Sequence, residues 1–479
     1  IKMTFISNFP PATYSSIKGK PYVTVSSKGI RNQLSDIPND GADFGPDTTL
    51  GATSPNQIGE PNTQTSGIQE AINSLPKLYN TASGRYVPNG TVVIKFENQP
   101  INISTPIILY DDEFVTLTSP DPWNTTFNTS MNLSGGYITN TNNTSILQIL
   151  KNPTNNEGFG TINIENLTFI NTYSTTSNSF PIIYMGPNTY STVYSPNTNT
   201  DPIPNQIYMD KVSILDKVGN QPLLYLANPG LEQIIHFGDI FLYGNSGAYN
   251  MATIAGSHIT ADYISITSVT SIALPTNKWT GFMLFLEVGQ DCHIGTYHFN
   301  FNGNGVLFTT GLGNQTGAMT IIDIIRDEMQ TVNYGIDQNT YHVTMGTQVG
   351  TIINYYSDGN GTGAPPGMSK LAPDSNYFII KNFPQFRAPG NPNNIFLQPT
   401  TPSVPASGTA LQNQYPYPVE VYLNGGAVTQ VTRTVNGTNY TVFSSSSAVA
   451  LSGLTIRLEA GDSITLTYTT APTWVWAPA

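Results

Sequence analysis

The chain has 479 residues, of which 38% are hydrophobic and only 10% are charged, and its formal net charge at pH 7 is −12. The hydrophobic content excludes a compositionally disordered chain, and the negative charge argues against a protein that binds nucleic-acid phosphates. The sequence has no run of Lys and Arg that would bind an anionic membrane and no stretch of 18 apolar residues. We therefore expect neither a nucleic-acid partner nor membrane insertion.

The low charge content predicts an acidic, extracellular setting. In strongly acidic water carboxylates lose their charge while Lys and Arg keep theirs, so a chain rich in both would acquire a large positive self-repulsion. A chain with few of either limits this change. The alternative interpretation is that polar, β-rich proteins are often poor in charge.

The N-terminal region combines an irregular segment with one helix. Residues 1–45 contain four prolines, and we interpret them as an N-terminal arm or lead-in. The stretch TQTSGIQEAINSL at 63–75 predicts a helix over 66–75, with Ser66 as the N-cap and Gln69 completing a capping box. The apolar stripe of this helix consists of Ile68, Ala71, Ile72 and Leu75. Three short strands are predicted next, in TVVIKF, INISTPIIL and EFVTLTSP.

A motif with apolar residues at positions 1, 3, 6 and 8 recurs in the middle of the chain. Its copies are INIENLTFINT at 162, IYMDKVSILDK at 207, IHFGDIFLYGN at 235, ITADYISITSV at 259 and CHIGTYHFNFN at 292. Side chains alternate in a strand, so apolar positions three apart face one core only if the backbone turns a corner between them. Each copy therefore predicts one coil of a parallel β-helix. A large β-sandwich is the alternative, but it gives no reason for the recurring change of phase.

Two features near the end of this array need separate interpretation. A sixth copy, MTIIDIIRDEM at 319, has Arg326 at an apolar position, and we interpret it as degraded. Cys292, the single cysteine, is predicted to be a buried small hydrophobe. His293 and His298 are near it but lack the spacing of a zinc site, so we expect no metal and no cofactor.

The C-terminal part of the chain differs from the repeat region in composition and in hydrophobic pattern. Residues 385–414 are rich in Pro and Gly and predict a linker. Residues 415–479 show short alternating strands with a tight turn at Asn436-Gly437, which predicts a compact antiparallel β-sandwich. Because exposed tryptophans are costly, we expect Trp474 and Trp476 at its end to be buried at a subunit or ligand contact, and we take them as candidate oligomer-contact residues.

The corners of the motif carry acidic residues: Glu165, Asp210, Asp239 and Asp262. Glycan hydrolysis uses two carboxyl groups about 5 to 9.5 Å apart, a separation that adjacent coils can supply. We take Asp210, Asp239 and Asp262 as candidate catalytic residues. The alternative is that Asp occurs here because it favours tight corners. A second acidic cluster beside Arg326 consists of Asp323, Asp327 and Glu328.

Glycan binding without cleavage needs aromatic rings and hydrogen-bonding groups. The long insertion at 184–208 is the best candidate, because recognition commonly occurs on long loops of a rigid scaffold. Its predicted glycan-binding residues are Tyr184, Tyr190, Tyr194 and Tyr208. The alternative is a solvated loop with packed tyrosines. The best candidates for N-glycosylation are Asn124, Asn128, Asn132, Asn142 and Asn143, in a loop-like stretch.

The segment IPNDGADFGPDTT, the helix after it, and NGTVVIKFENQPINISTPIIL together resemble the opening of pectate-lyase-like β-helix proteins. Such openings occur in polygalacturonase-like enzymes and in viral tail spikes. The resemblance implies an all-β fold, with a right-handed parallel β-helix over 46–384 whose open end is covered by the capping helix at 66–75. The small antiparallel β-sandwich follows it.

The segments YPYPVEVYLNGG and LEAGDSITLTYTTAPTWVW look like terminal domains on surface proteins of viruses that infect acidophilic, hyperthermophilic archaea. Together the two halves of the chain are similar to a tail spike, or host-attachment protein, of a spindle-shaped archaeal virus. This resemblance implies a homotrimer on the virion surface, in hot and acidic surroundings. It also implies contacts with other virion proteins through the N-terminal side, and with a host cell-surface glycan or glycoprotein.

Two other functions remain alternatives to attachment. One is an extracellular glycan hydrolase or lyase on the same fold, and the other is a structural cell-envelope protein. The Gly-His-Gly and Arg-Ile-Lys signatures of polygalacturonase-like enzymes are absent from the sequence. Their absence argues against hydrolysis by that family's mechanism, so we expect attachment without cleavage.

Overall fold

The computed structural model describes residues 21–30, 42–121, 136–154, 158–172, 180–186, 205–216, 222–227, 234–244, 251–268, 283–300, 307–311, 319–327, 343–345, 349–357, 378–382, 401–413, 418–459 and 461–478. The chain divides into two compact units, Ile1–Ser271 and Ile272–Ala479. Among the described residues, no helix has the length and hydropathy of a membrane span.

The first unit contains the helix α1 (Ile68–Ser74). Its described strands are β1 (Tyr22–Ser26), β2 (Lys77–Asn80), β3 (Arg85–Lys95), β4 (Ile101–Ile103), β5 (Ile107–Tyr110), β6 (Phe114–Thr118), β7 (Ile138–Asn140), β8 (Leu147–Leu150), β9 (Gly160–Asn171), β10 (Ile183–Gly186), β11 (Asn205–Asp216), β12 (Leu224–Ala227), β13 (Ile234–Gly244) and β14 (Ala252–Ser268). The described strands of the second unit are β15 (Leu284–Asn300), β16 (Leu307–Gly311), β17 (Met319–Asp327), β18 (Val343–Met345), β19 (Val349–Ser357), β20 (Phe378–Asn382), β21 (Ala410–Gln412), β22 (Val419–Val435), β23 (Thr438–Leu458), β24 (Ser463–Thr470) and β25 (Thr473–Pro478).

Successive coils of the first unit pair in parallel and in register. β6, β9, β11, β13 and β14 form one ladder, in which Ile162, Ile207, Ile235 and Ile259 occupy equivalent positions. β5, β8, β10, β12 and the start of β14 form a second ladder. A chain that returns to the same two ladders with every turn is a parallel β-helix, so the predicted fold is confirmed.

The alternation of apolar residues in the motif shifts by one residue where the backbone turns a corner. The residues at positions 1, 3, 6 and 8 are buried in all five copies; in the first copy they are Ile162, Ile164, Leu167 and Phe169. Between the inward-facing pairs, Asn166 and Lys211 have positive φ angles of 55° and 52°. A left-handed residue at this point bends the strand, which lets both pairs face one core.

Helix α1 buries the predicted stripe, but its predicted cap is wrong. Ile68, Ala71 and Ile72 are fully buried. The N-cap residue is Gly67, and the Ser66 hydroxyl donates to a carbonyl oxygen outside the helix, that of Asn102, at 2.5 Å. The predicted capping box fails because Ser66 and Gly67 both have positive φ, which turns the serine hydroxyl away from the first helical turn.

Thr65 supplies the capping oxygen instead. Its hydroxyl accepts a hydrogen bond from the Gln69 backbone N–H at 3.1 Å and donates to the Glu70 carboxylate at 3.1 Å. We expect Thr65→Ala to lower the free energy of unfolding by about 1 kcal/mol, the usual value of an N-terminal cap. Thr65→Ser keeps the hydroxyl and is the matched control in urea unfolding. Equal losses for the two variants would contradict the capping role.

Two stretches expected to be irregular contribute strands. β1 lies within residues 1–45 and pairs in parallel with β3, and Val25 is fully buried. β21 lies within the predicted linker at 385–414 and pairs antiparallel with β24. Both strands are short, and their partners are distant in the sequence, so local composition does not reveal them.

In the second unit, β15, β17, β19 and β20 also pair in parallel. The sixth copy of the motif is not degraded, because its frame lies one residue later than predicted. Thr320, Ile322 and Ile325 pair with Cys292, Ile294 and Tyr297, and all six are buried. Arg326 is exposed. The frame of the sixth copy is not evident from the sequence because its first inward position holds a threonine instead of an apolar residue. Cys292 is buried as predicted, and burial raises the pKa of its thiol.

The C-terminal strands form antiparallel layers around one apolar core. The first half of β22 pairs with β25 and its second half pairs with β24, while β23 pairs along both halves. β22 changes direction at Gly425 and Gly426, whose φ angles of 73° and 72° favour glycine. Leu423 and Val428 on either side of this bend therefore reach the same core, as in the predicted sandwich.

Trp474 and Trp476 lie in this core, so the prediction that they form an oligomer contact is wrong. Their exposed fractions are 6% and 2%, and their rings meet edge to face with centroids 5.7 Å apart. The Trp474 indole N–H donates to the carbonyl oxygen of Pro402 at 2.7 Å. The chain end returns as strand β25, whose alternate side chains point into the sandwich.

Candidate functional site

The outer surface of the β9–β11–β13–β14 ladder carries two columns of mostly polar side chains. The first column contains Asn163, Tyr208, His236 and Thr260, one from each coil. Two positions further along the strands, the second contains Glu165, Asp210, Gly238 and Asp262. We call these two columns, with the corner residues Lys211 and Asp239, the ladder face. It faces outward because the residues between its columns, such as Met209 and Phe237, are buried.

An aromatic pair lies in the first column. The ring centroids of Tyr208 and His236 are 5.8 Å apart, at an angle of 55°. His236 Nδ1 is hydrogen-bonded at 2.7 Å to Oγ1 of Thr260, which lies on the next coil. This bond fixes the orientation of the imidazole ring. The Tyr208 hydroxyl donates to Gln206 Oε1 at 3.4 Å. The ladder face therefore offers apolar ring surface bordered by hydrogen-bonding groups.

The carboxylates of the second column are held close to the corner backbone. Asp210 Oδ1 accepts a hydrogen bond from the Asp239 backbone N–H at 3.2 Å. A Cβ atom at Gly238 would lie 2.1 Å from that same oxygen, so only glycine lets Asp210 take this position. Lys211 occupies the left-handed region at φ 52°, a strained conformation for lysine that occurs mainly at turns and functional sites.

The three predicted catalytic candidates come together in the structure. Burial raises the pKa of Asp239; the negative charges of Asp210 and Asp262 raise it further, and the Lys211 ammonium lowers it. A carboxyl group with a raised pKa beside other carboxyl groups is the arrangement from which a general acid is built. Among the described residues, no three His, Cys, Asp or Glu side chains are grouped so that they could hold a metal ion.

This electrostatic coupling predicts opposite effects for two substitutions. Asp210→Asn removes a negative charge and should lower the pKa of Asp239, whereas Lys211→Met removes a positive charge and should raise it. Carboxyl-carbon NMR titration of selectively labelled aspartate measures both shifts. A pKa of Asp239 that moves in neither variant would contradict the proximity of these groups.

The structure places the predicted glycan-binding tyrosines in different surroundings. Tyr208 lies on the ladder face, but Tyr184 is 4% exposed and stacks on Tyr225 of the next coil, with centroids 5.7 Å apart. Tyr184 therefore offers no open ring, because strand β10 directs it into packed structure. Tyr190 and Tyr194 lie outside the described residues.

The remaining predicted sites are dispersed. Asn142 and Asn143 are exposed, and the Asn142 amide donates to the Ser104 carbonyl oxygen at 2.7 Å. The other sequons, Asn124, Asn128 and Asn132, lie outside the described residues, as do the Asp327 side chain and Glu328. Asp323 pairs with His293, with 3.0 Å between Oδ2 and Nε2, on an exposed surface of the second unit.

A buried acidic cluster between β5 and β6 was missed by the sequence analysis. Asp111, Asp112 and Glu113 are each at most 4% exposed. Arg85 Nε lies 2.6 Å from Asp112 Oδ2, although neither Asp112 carboxylate oxygen accepts a hydrogen bond. Asn152 donates its backbone and side-chain N–H groups to Asp111 Oδ1, both at 2.9 Å. The available signal was the run of three acidic residues that directly follows the strand IILY.

Burial dominates the protonation of this cluster. It raises the pKa of Asp111 to about 6, against the hydrogen bonds from Asn152. It raises the pKa of Glu113 to about 7, with Arg85 and Lys77 acting to lower the value and Asp112 to raise it. The cluster lies beneath the β2–β3 hairpin, so we assign it a role in anchoring that hairpin.

No protein-family model and no curated protein matches the chain. Among solved structures, the tailspike protein of the Acinetobacter phage vB_ApiP_P1 is similar, with 10% identity over 89% of this chain and 91% of that chain and a TM-score of 0.32. At this TM-score the likeness decides neither fold nor function. The fold follows from the strand pairings, and the function has to be argued from the side chains of the ladder face.

Proposed function

We propose that this protein is an extracellular attachment protein that binds a glycan-covered cell surface through the ladder face. The observation that carries the proposal is the Tyr208–His236 ring pair beside the carboxylates of Asp210 and Asp262. Aromatic rings stack on the apolar faces of sugars, and carboxyl groups hydrogen-bond to sugar hydroxyls whether or not they are protonated. The coils hold these groups at a fixed spacing of about 4.8 Å, so binding orders few side chains.

Within this function we propose a viral spike, a homotrimer on the virion surface that contacts other virion proteins through its N-terminal side. The sequence resemblance of the opening and C-terminal segments supports an archaeal virus and its hot, acidic surroundings. The low charge content supports the acidic setting, as do the buried carboxyls of Asp111 and Glu113, which are neutral there. Sedimentation equilibrium gives the number of copies, and three is the expected result.

Because Trp474 and Trp476 are buried in the sandwich core, contact between copies would use other, exposed apolar side chains of the sandwich. Tyr440 and Val442 on β23 are 56% and 43% exposed, and residues 438–450 carry no charged side chain. An exposed strand without charges is prone to pair with another chain.

Retention on surface polysaccharide and glycoprotein from acidophilic archaeal cells, at acid pH, tests the attachment function. Tyr208→Ser should weaken retention about tenfold, which corresponds to the loss of roughly 1.4 kcal/mol from one stacked ring. The binding control is Tyr422→Ser, which removes the ring of a 42% exposed tyrosine in the sandwich, outside the ladder face. Unchanged retention of Tyr208→Ser would contradict binding through the ladder face.

Cleavage of the bound glycan is a second candidate function, favoured by the raised pKa of Asp239 beside Asp210 and Asp262. In this reaction Asp239 would donate a proton to the glycosidic oxygen, and a neighbouring carboxylate would activate water or attack the sugar. Fragment release during the same incubation tests it. Release that is abolished by Asp239→Asn or Asp262→Asn would establish the enzyme, and retention without fragments would leave these residues as binding and corner residues.

A further inference from the structure

The β2–β3 hairpin of the first unit presents two exposed aromatic rings. Tyr79 and Tyr86 are directly opposite each other in the antiparallel pair. Their exposed fractions are 49% and 70%, and Tyr86 is the most exposed large apolar side chain among the described residues. The ring centroids are 5.1 Å apart, with 59° between the ring planes. The two phenols thus form an angled, solvent-facing surface.

The residues next to these tyrosines anchor the hairpin from below. Asn80 pairs with Arg85 across the strands. Asn80 Nδ2 donates to the carbonyl oxygens of Asp112 and Gly158, at 2.9 and 2.8 Å, and Arg85 Nε lies 2.6 Å from Asp112 Oδ2. Because side chains alternate along a strand, fixing Asn80 and Arg85 inward fixes Tyr79 and Tyr86 outward.

The tip of the hairpin is fixed as well. Asn80 Oδ1 accepts hydrogen bonds from the backbone N–H groups of Ala82 and Ser83, at 2.9 and 3.3 Å. The Thr154 hydroxyl donates to the Ser83 carbonyl oxygen at 3.1 Å. The ring pair is therefore carried by a backbone that is held at its base and at its turn, which lowers the cost of ordering it on binding.

We infer that Tyr79 and Tyr86 form a second glycan subsite, which takes one hexopyranose unit. Two side chains supply far less than the roughly 800 Å² per partner that a stable protein interface buries, so a small ring-shaped ligand fits better than a protein. The tilt between the rings lets one phenol stack on the apolar face of the sugar while the other contacts its edge, and both hydroxyls can bond to sugar hydroxyls. The inference rests on the proposed function only for the class of ligand.

Native affinity electrophoresis of the full chain, in gels that contain soluble mannan, laminarin or glycol chitin, tests this subsite. At least one polysaccharide should retard the protein, and Tyr79→Ser and Tyr86→Ser should each weaken that binding about tenfold. Tyr86→Phe should retain most of it. Tyr422→Ser, at a 42% exposed tyrosine of the sandwich, is the matched control and should have no effect. Both hairpin tyrosines are exposed, so the variants should unfold at the same temperature as the parent protein.

Including Tyr208→Ser separates the two proposals. Loss of binding in Tyr208→Ser with no change in Tyr86→Ser would overturn the hairpin subsite and leave the ladder face standing. Loss in Tyr86→Ser with no change in Tyr208→Ser would support the subsite and contradict the ladder face. Loss in both would support both sites. Absence of retardation by all three polysaccharides would count against the subsite.

Discussion

Acidification from pH 8 to pH 5 is expected to raise the free energy of unfolding by several kcal/mol. The cause is a set of carboxyl groups whose folded-state pKa is raised by burial: Asp111 to about 6, and Glu113 and Glu287 each to about 7. Each pH unit in which such a group holds a proton only in the folded state contributes about 1.4 kcal/mol.

The sign follows from proton counting. In the unfolded chain these carboxyls lose their protons near pH 4, so between about pH 4 and 7 the folded state binds more protons. Stability from these groups is therefore fully present in acid and is lost as the pH rises through 6 and 7. Many proteins behave oppositely in acid, because their paired carboxylates must be protonated there.

Chemical denaturation at pH 5, 6.5 and 8 measures this dependence. Glu113→Gln removes one titrating group and should flatten the stability profile around pH 7 with little loss at pH 5. The matched control is Glu459→Gln, at a 50% exposed carboxylate paired with Arg457. A parent protein whose free energy of unfolding rises from pH 5 to pH 8 would contradict the account.

Arg85→Met is expected to lower the free energy of unfolding by about 3 to 5 kcal/mol at pH 8, the usual cost of leaving a buried charge unpaired. Arg85 lies beside Asp112 and 3.4 Å from Glu113 Oε1, and its guanidinium stacks over the Tyr110 ring at 5.0 Å. Methionine keeps much of the packing volume and removes the charge, together with the guanidinium's hydrogen bond to Glu113 and its contact with the Tyr110 ring. At pH 5 the loss should be smaller, because Glu113 is then neutral.

Arg457→Met supplies the matched control for this prediction. Its ion pair with Glu459 is 2.8 Å long, but both side chains are at least half exposed, and such pairs contribute between 0 and about 1 kcal/mol. Thermal and urea unfolding of both variants at pH 8 and pH 5 measure the difference. Equal, small losses for the two arginines would show that the buried cluster does not depend on Arg85.

The β-helix could be predicted because its cause is local. An apolar pair, a two-residue corner and a second apolar pair fit within eight residues, and Asn166 and Lys211 turn the chain at the predicted point. The sixth copy was misread by one residue because Thr320 occupies an inward position, where a hydroxyl side chain replaces the apolar one. Periodicity does not identify the inward face when a polar residue occupies it.

The arrangement of the side chains on the ladder face, in the sandwich core and on the hairpin could not be predicted, because it depends on contacts between residues distant in the sequence. Asp210, Asp239 and Asp262 were correctly placed at the corners, but their coupling rests on Gly238 making room for the Asp210 carboxylate. The burial of Trp476 in the sandwich core was not predicted, because its partner in β22, Val421, is 55 residues away in the chain. The Tyr79–Tyr86 surface depends on the distant Asp112 anchoring the hairpin from below.

Hydroxyl-radical footprinting of the full chain, with and without bound archaeal surface polysaccharide, tests most directly whether the ladder face binds glycan. Oxidation of Tyr208 and His236, read by mass spectrometry, should fall several-fold when the polysaccharide is bound. Oxidation of Tyr422, which is 42% exposed on the sandwich, should not change. Retained polysaccharide with unchanged oxidation of Tyr208 and His236 would contradict glycan attachment through the ladder face.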